Sequence, residues 1–389
     1  MPNQMLLTLG LTSILMVHPS LSTGDVTSTP LGERGSPTKE TLLFRAGEEG
    51  YPAYRIPSLL TTKAGVVLAF CEAHQGGDHS HNDLVLKRSN DGGCTWGPLR
   101  VIVRHPKDAF NNPTAICLRE SGRVLLLFEH YPDGTGERKV VPGYEGKVVK
   151  TLLIYSDDDG FTWSKPRDIS RQVKQETIWT SLCSGEGVAI QLRRGPHAGR
   201  IVVPANHGPH DLWYAFCYFS DDGGRNWKFS GNTQQLLNEC QVVERIDGSL
   251  LLNARNYAQR GFRGLAISRD SGLNWESGGH DKTLIEPTCQ ASLIRFSDPL
   301  DSEPSRLLFS NPAHQTKRIR MTVRLSYDEG KTWPAQQLLH EGPSAYSCLT
   351  RLPDGDVGIL FEAGRGGPYE TIRFVRFPIT WLEAAADKP

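Results

Sequence analysis

One octapeptide pattern, S-x-D-x-G-x-[TN]-W, occurs five times in this chain, and no feature constrains its fold more. It stands first as Ser89-Asn90-Asp91-Gly92-Gly93-Cys94-Thr95-Trp96 and begins again at Ser156, Ser220, Ser268 and Ser326. The aspartates Asp91, Asp158, Asp222, Asp270 and Asp328 follow one another at 48 to 67 residues. Each copy follows an apolar or alternating run: DLVLKR, TLLIY, YAFCYF, GLAI and MTVRL. That context reads as strand, tight turn, strand. The residue types suit the turn. An aspartate bonds its own backbone two residues on, and a glycine accepts positive φ. The tryptophan is expected to fold back beneath the hairpin as an anchor. Five copies at such spacing mean a repeat architecture.

A second repeat lies between the boxes. Six times, at Gly65, Gly122, Gly199, Gly248, Ser305 and Gly355, a turn opens an apolar run, and another apolar strand precedes it. Five of these hairpins lead into a boxed hairpin; the sixth continues instead into Thr371-Ile372-Arg373-Phe374-Val375-Arg376-Phe377. Four strands per unit and six units predict an all-β fold, a six-bladed β-propeller. An array of β-sandwiches is the alternative. In a propeller the innermost strands all begin at one face. Here those starts are Arg55, Asn112, Glu186, Glu239, Thr288 and Tyr346, and the return strands end at Glu72, Glu129, Asn206, Arg255, Asn311 and Glu362. Packing explains the apolar strand interiors but not such a polar ring. A concave, charged mouth is therefore the expected site.

The 389 residues carry 43 basic against 43 acidic side chains, which argues against nucleic acid or an anionic membrane surface as a bulk partner. Met5 to Val17 is apolar and uncharged, too short to span a bilayer comfortably and suited to the core of a signal peptide over residues 1–22. Export, to the periplasm or the exterior, is the corresponding expectation, although no Lys or Arg precedes the apolar run. Residues 23–40 read as a flexible leader and 41–389 as the propeller domain, with no integral membrane segment in the mature chain. The eight cysteines form no C-x-x-C, so a zinc or redox motif has little support, and most read as small buried hydrophobes.

Tyr54-Arg55-Ile56-Pro57, the five boxes, Asn238-Glu239-Cys240-Gln241 and the late Ala345-Tyr346-Ser347 together resemble the exo-α-sialidases of the bacterial and animal type. The resemblance runs from Thr41 to Phe377. It implies a retaining glycoside hydrolase that releases terminal α-linked sialic acids from glycoproteins, glycolipids or oligosaccharides, without metal or organic cofactor. It also implies an arginine triad that grips the substrate carboxylate with bidentate geometry lysine cannot copy. Arg55 and Arg255 match two of its members. The third falls in a segment that offers Arg318, Arg320 and Arg324; the family spacing, eight residues before the box serine, selects Arg318. Glu362 corresponds to the carboxylate that steadies the first arginine.

By the same resemblance Tyr346 is the nucleophile and Glu239 its base. Charge makes sense of a tyrosine here: a carboxylate nucleophile would be repelled by the carboxylate on the sugar's anomeric carbon, and a phenol is not. The acid/base should lie in the loop from Cys71 to Asp83. Gly77-Asp78-His79-Ser80 resembles a family loop whose aspartate has that role, which selects Asp78 over Asp83. A metal site from His74, His79, His81 and the two aspartates is a competing reading, disfavoured because a Gly-rich loop is a poor preformed cage. Many family members carry an arginine where this chain has His74. Asn112 and Glu186 are expected to line the mouth as substrate contacts. A propeller that only binds glycans, and a sialic acid transferase, are the rival functions.

Overall fold

The computed structural model describes residues 38–386, so the expected signal peptide and most of the expected leader lie outside the described residues. The chain forms six four-stranded antiparallel units around a common centre, a six-bladed β-propeller. The first blade runs Ala53–Thr61, Val67–His74, Asn82–Ser89 and Arg100–Val103. The second runs Ala109–Cys117, Val124–Tyr131, Lys150–Ser156 and Arg167–Asp168. In the third, the innermost place is shared by Leu182–Ser184 and Ile190–Gln191, which both pair with Ile201–His207, while Gly187–Val188 between them runs parallel to the inner strand of the second blade; Tyr214–Ser220 and Lys228–Phe229 follow. The fourth comprises Leu237–Glu244, Leu250–Asn256, Phe262–Ser268 and Glu276–Ile285. The fifth starts with Ser292–Ser297, Arg306–Pro312 and Ile319–Ser326.

The long strand Ala335–Arg351 serves two blades. Up to Pro343 it pairs with Ile319–Ser326 as the outer strand of the fifth, and from Ser344 it pairs with Val357–Ala363 as the inner strand of the sixth. Thr371–Phe377 follows, and the outermost place in the sixth blade is taken by the first described strand, Lys39–Arg45, paired from Lys39↔Arg376 to Arg45↔Thr371 with a register shift between Leu42 and Phe44. The sixth unit lacks a box because its fourth strand comes from the other end of the chain. That join closes the ring.

The apolar runs are continuous rather than alternating because each blade is covered on both faces. Val67–His74 is buried throughout. Leu68 and Phe70 join the core shared with the second blade, whereas Val67, Ala69, Cys71 and Ala73 join the core shared with the sixth. The period of two survives, divided between two interfaces.

The box turns follow one hydrogen-bond scheme. In the first, Ser89 Oγ donates to Asp91 Oδ1 (2.7 Å), and Oδ1 accepts the Thr95 amide (2.8 Å). Oδ2 takes the Thr95 hydroxyl at 2.5 Å, and Gly93 N–H donates to Ser89 Oγ at 2.8 Å. Tertiary packing fixes the glycine as well. A Cβ on Gly93 would collide with the Phe374 ring, one on Gly224 would stand 2.8 Å from Leu125, and one on Gly330 2.9 Å from Leu251. All three neighbours belong to the preceding blade. Two of the box tryptophans do likewise: Trp96 meets Phe374 edge-on at 5.1 Å and Trp163 meets Phe70 at 5.8 Å, whereas Trp227 and Trp333 meet Tyr218 and Phe309 of their own blades. The boxes thus join blade to blade. They link third and fourth strands, so the antiparallel course puts them on the face away from the innermost strand starts.

Candidate active site

A cleft of about 400 Å³ opens at the face where the innermost strands begin. Arg55, Asn112, Glu186, Glu239, Arg255, Tyr346 and Asp78 all line it, and no box residue does. Eight of the twelve expected strand ends line it; Thr288, Glu129, Asn311 and Glu362 do not.

Tyr346 lies at its floor, 6% exposed, beside Ile56, Cys289 and Ala345. Its hydroxyl donates a short hydrogen bond to Glu239 Oε1. Arg255 Nη1 lies 2.8 Å from Glu239 Oε2 and 3.3 Å from the Tyr346 oxygen. Burial, then the Glu239 carboxylate, push the phenol well above its ordinary pKa, while Arg255 and Arg318 pull the other way. The ground state is a neutral phenol bonded to a base and ringed by guanidinium groups. Such a group becomes a nucleophile when the base takes its proton.

Arg55 extends from the inner strand of the first blade. Its Nε lies 2.7 Å from Glu362 Oε1, and Glu362, wholly buried, also accepts the backbone N–H groups of Ile56 (2.9 Å) and Tyr346 (3.1 Å). One carboxylate from the sixth blade thereby fixes an arginine and the backbone of the tyrosine. Burial would lower the Arg55 pKa, but Glu362 and Asp78 outweigh it and the net direction is up. Arg55 Nη1 also holds Asp78 Oδ1 at 2.8 Å.

Of the three arginines in the crowded segment, only Arg318 faces the tyrosine, with its guanidinium carbon 5.6 Å from the ring centroid of Tyr346. Arg320 pairs with Glu341 at the surface. Arg324 is buried on Asn311 Oδ1 at 3.0 Å, and burial pulls its pKa down to about 10. The three share one parity, so regular alternation would put them on one face. The left-handed backbone at Arg320 (φ 67°) and the register shift between Ile319 and Met321 break that alternation and send them different ways.

Tyr369 was not legible as a site residue. Its ring lies 3.9 Å beneath the Arg55 guanidinium, and its hydroxyl accepts from Arg318 Nη1 at 2.7 Å. It links two of the three arginines from a Gly-rich turn, Gly364 to Glu370, whose sequence carries no motif. Tyr257 lies under Arg255 at 4.9 Å and packs against Trp213 at 4.5 Å. Both residues are in rim loops that no repeat marks.

The wall opposite the arginines is acidic. Glu186 is 2% exposed, and burial followed by the nearby Glu239 charge raise its pKa well above the carboxylate range. Its Oε2 has no hydrogen-bond partner among the described residues. Asn112 adopts φ 59° and gives its N–H to Glu72 Oε1 at 2.6 Å. Glu72 Oε2 bonds His74 Nε2 at 2.7 Å and Asn111 Nδ2 at 2.8 Å. His74 is thus held behind the wall and is absent from the lining of the cleft. The loop histidines diverge: His79 packs on Tyr131 at 4.8 Å and His81 bonds Asp83 at 3.1 Å. Asp83, the second choice for the acid, is 1% exposed and bonded by Tyr51 and Arg104. Among the described residues no group of three His, Cys, Asp or Glu is placed to hold a metal ion.

The family model of the BNR repeat-like domain matches residues 65–359. The chain is 36% identical over 372 residues to a sialidase of Micromonospora viridifaciens, covering 92% of this chain but only 56% of that longer protein. It is 30% identical over 373 residues to sialidase-2 of Mus musculus, covering 88% of this chain and 95% of that one. The fold superposes on the Hadza microbial sialidase Hz136 with a TM-score of 0.80 at 30% identity, over 88% of this chain and 69% of the other. By its repeats and by these identities, the chain belongs to the sialidase family.

Proposed function

We propose that this protein is a retaining exo-α-sialidase acting on sialylated glycoconjugates or oligosaccharides. The observation that carries the reading is the Tyr346–Glu239–Arg255 cluster, set among three inward-facing arginines. A glycan-binding module needs no buried tyrosine held on a carboxylate. Arg55, Arg255 and Arg318 would take the sugar's carboxylate and leave its anomeric carbon over the Tyr346 oxygen. A tyrosine nucleophile is the exception that sialidases form among glycosidases.

The first step forms the bond from Tyr346 oxygen to the anomeric carbon while the phenolic proton passes to Glu239. The glycosidic bond breaks, and Asp78 gives its proton to the departing oxygen. In the second step the Asp78 carboxylate takes a proton from water. The water oxygen attacks the same carbon, and Tyr346 leaves and recovers its proton from Glu239. Net configuration is retained.

Hydrolysis of a fluorogenic sialoside, followed by trapping with a fluorinated sialosyl fluoride and peptide mapping, tests this. Label on the peptide containing Tyr346 is expected, with turnover lost in Tyr346→Phe and in Glu239→Gln. No turnover by the wild-type protein would favour the binding module. Label on Glu239 or Asp78 would overturn the charge argument for tyrosine.

A further inference from the structure

Asp78 lies on a loop that has little else to hold it. Residues 75–79 are exposed, and the loop includes two successive glycines, Gly76 and Gly77. Its base is closed by Gln75 N–H to His81 O (3.0 Å) and Ser80 N–H to Gly77 O (2.9 Å). A proton donor must stay within hydrogen-bond reach of the leaving oxygen, and an exposed Gly-Gly loop does not ensure that by itself.

Two buried amides converge on this loop at one atom. Asn82 Nδ2 donates to the carbonyl oxygen of Asp78 at 2.7 Å, and Asn111 Nδ2 donates to the same oxygen at 3.0 Å. Asn82 opens the third strand of the first blade and is wholly buried; Asn111 lies on the innermost strand of the second and is 4% exposed. Each amide is itself oriented. Ser80 Oγ donates to Asn82 Oδ1 at 3.1 Å, and Asn111 Nδ2 also bonds Glu72 Oε2 at 2.8 Å. The two strands meet here through the pairing of Asn82 with Ala109. The clamp therefore fixes the Asp78 backbone to the junction of two blades without touching the carboxyl. That carboxyl rests on Arg55. A bound carboxylate would take Arg55 over, and the side chain could then turn to the leaving group about a fixed Cα.

We propose that Asn82 and Asn111 are positioning residues for proton transfer, holding the Asp78 backbone so that its carboxyl meets the leaving oxygen. This rests on the reading of Asp78 as the acid.

The test compares an aryl sialoside, whose leaving group departs without help, with an alkyl-linked one, whose leaving group needs a proton. Asn82→Asp keeps the shape and the acceptor for Ser80 but removes the donor; Asn111→Ala is a second arm from the other blade, should the first variant fail to fold. Asp78→Ala runs beside them, with thermal melting and binding of a sialic acid glycal as checks on the fold. General acids contribute about 10²–10⁴ in rate, so a misplaced one should raise the aryl-to-alkyl ratio of kcat/KM by at least about tenfold. The expected result is that rise in both asparagine variants, in the same direction as Asp78→Ala, with glycal binding retained. If both substrates slow in proportion, or neither slows, while Asp78→Ala shifts the ratio, the asparagines only support the fold and the inference fails. If Asp78→Ala leaves the ratio unchanged, Asp78 is not the acid, and the inference falls with that reading.

Discussion

Arg55 Nη1 lies 2.8 Å from Asp78 Oδ1, so one of the arginines proposed to grip the substrate carboxylate is already engaged by the residue proposed to transfer the proton. Glu362 holds the Nε of the same arginine from behind, where it is wholly buried, whereas the Asp78 side chain is 68% exposed. The two carboxylates are not equivalent. Glu362 is part of the floor, and Asp78 stands where an incoming carboxylate would go.

Asp78→Asn should therefore bind a carboxylate-bearing sialic acid glycal more tightly than the wild type, although it turns substrate over more slowly. An exposed ion pair is worth about 0.2–1 kcal/mol, so the gain should reach up to about fivefold in Kd. Inhibition constants measure it. Weaker binding would show that Asp78 contacts the ligand more than it blocks Arg55.

Arginine substitutions in the crowded segment should separate cleanly. Arg318→Ala should weaken glycal binding by about 1.5–3 kcal/mol, the range of a charged hydrogen bond. Arg320→Ala should leave binding unchanged, since its partner is Glu341 at the surface. Arg324→Ala should lower the melting temperature without a specific loss of affinity, because it leaves Asn311 without its buried partner. Equal effects from all three would remove Arg318 from the site.

Gly93→Ala should cost more stability than Gly223→Ala. Both glycines have positive φ, but a Cβ at Gly223 meets nothing within 4 Å and one at Gly93 meets the Phe374 ring. Left-handed backbone costs about 1–2 kcal/mol in either case, and overpacking adds about 1–3 kcal/mol at Gly93 alone. Urea unfolding of the two variants checks the difference.

The box aspartates should make the fold acid-labile over a defined window. The hydroxyl and amide of Thr95, with Ser89, lower Asp91 to about 2. Its pKa in the unfolded chain is about 3.9. A depressed folded pKa contributes stability that is present above the unfolded value and is lost as pH falls through the folded one. Melting temperature should thus drop as pH falls from about 4 towards 2, and Asp91→Asn should flatten that limb. An identical acid limb in Asp91→Asn would show that the box carboxylate does not govern it.

What the sequence alone determined is what four or eight residues can determine between themselves. A box turn is bonded within its own span, from Ser89 to Thr95, so its chemistry is written locally and repeats visibly. Blade number and the polar ends of the inner strands follow from the second repeat, the six apolar hairpins between the boxes. The tertiary structure decided the rest, because the site is made by radial convergence of distant segments. Arg55 meets Glu362 across 307 positions and Tyr346 meets Glu239 across 107. The hairpin repeat put those four at polar strand ends and the motif resemblance suggested their roles, but neither said which would touch which. Tyr369, Trp213 and the two asparagines on Asp78 are single residues in loops or at strand starts, with no period to mark them. Closure of the sixth blade by Lys39–Arg45 was hidden for the same reason: a strand's partner is chosen by the edge left open when the ring is complete, and local sequence does not encode that edge.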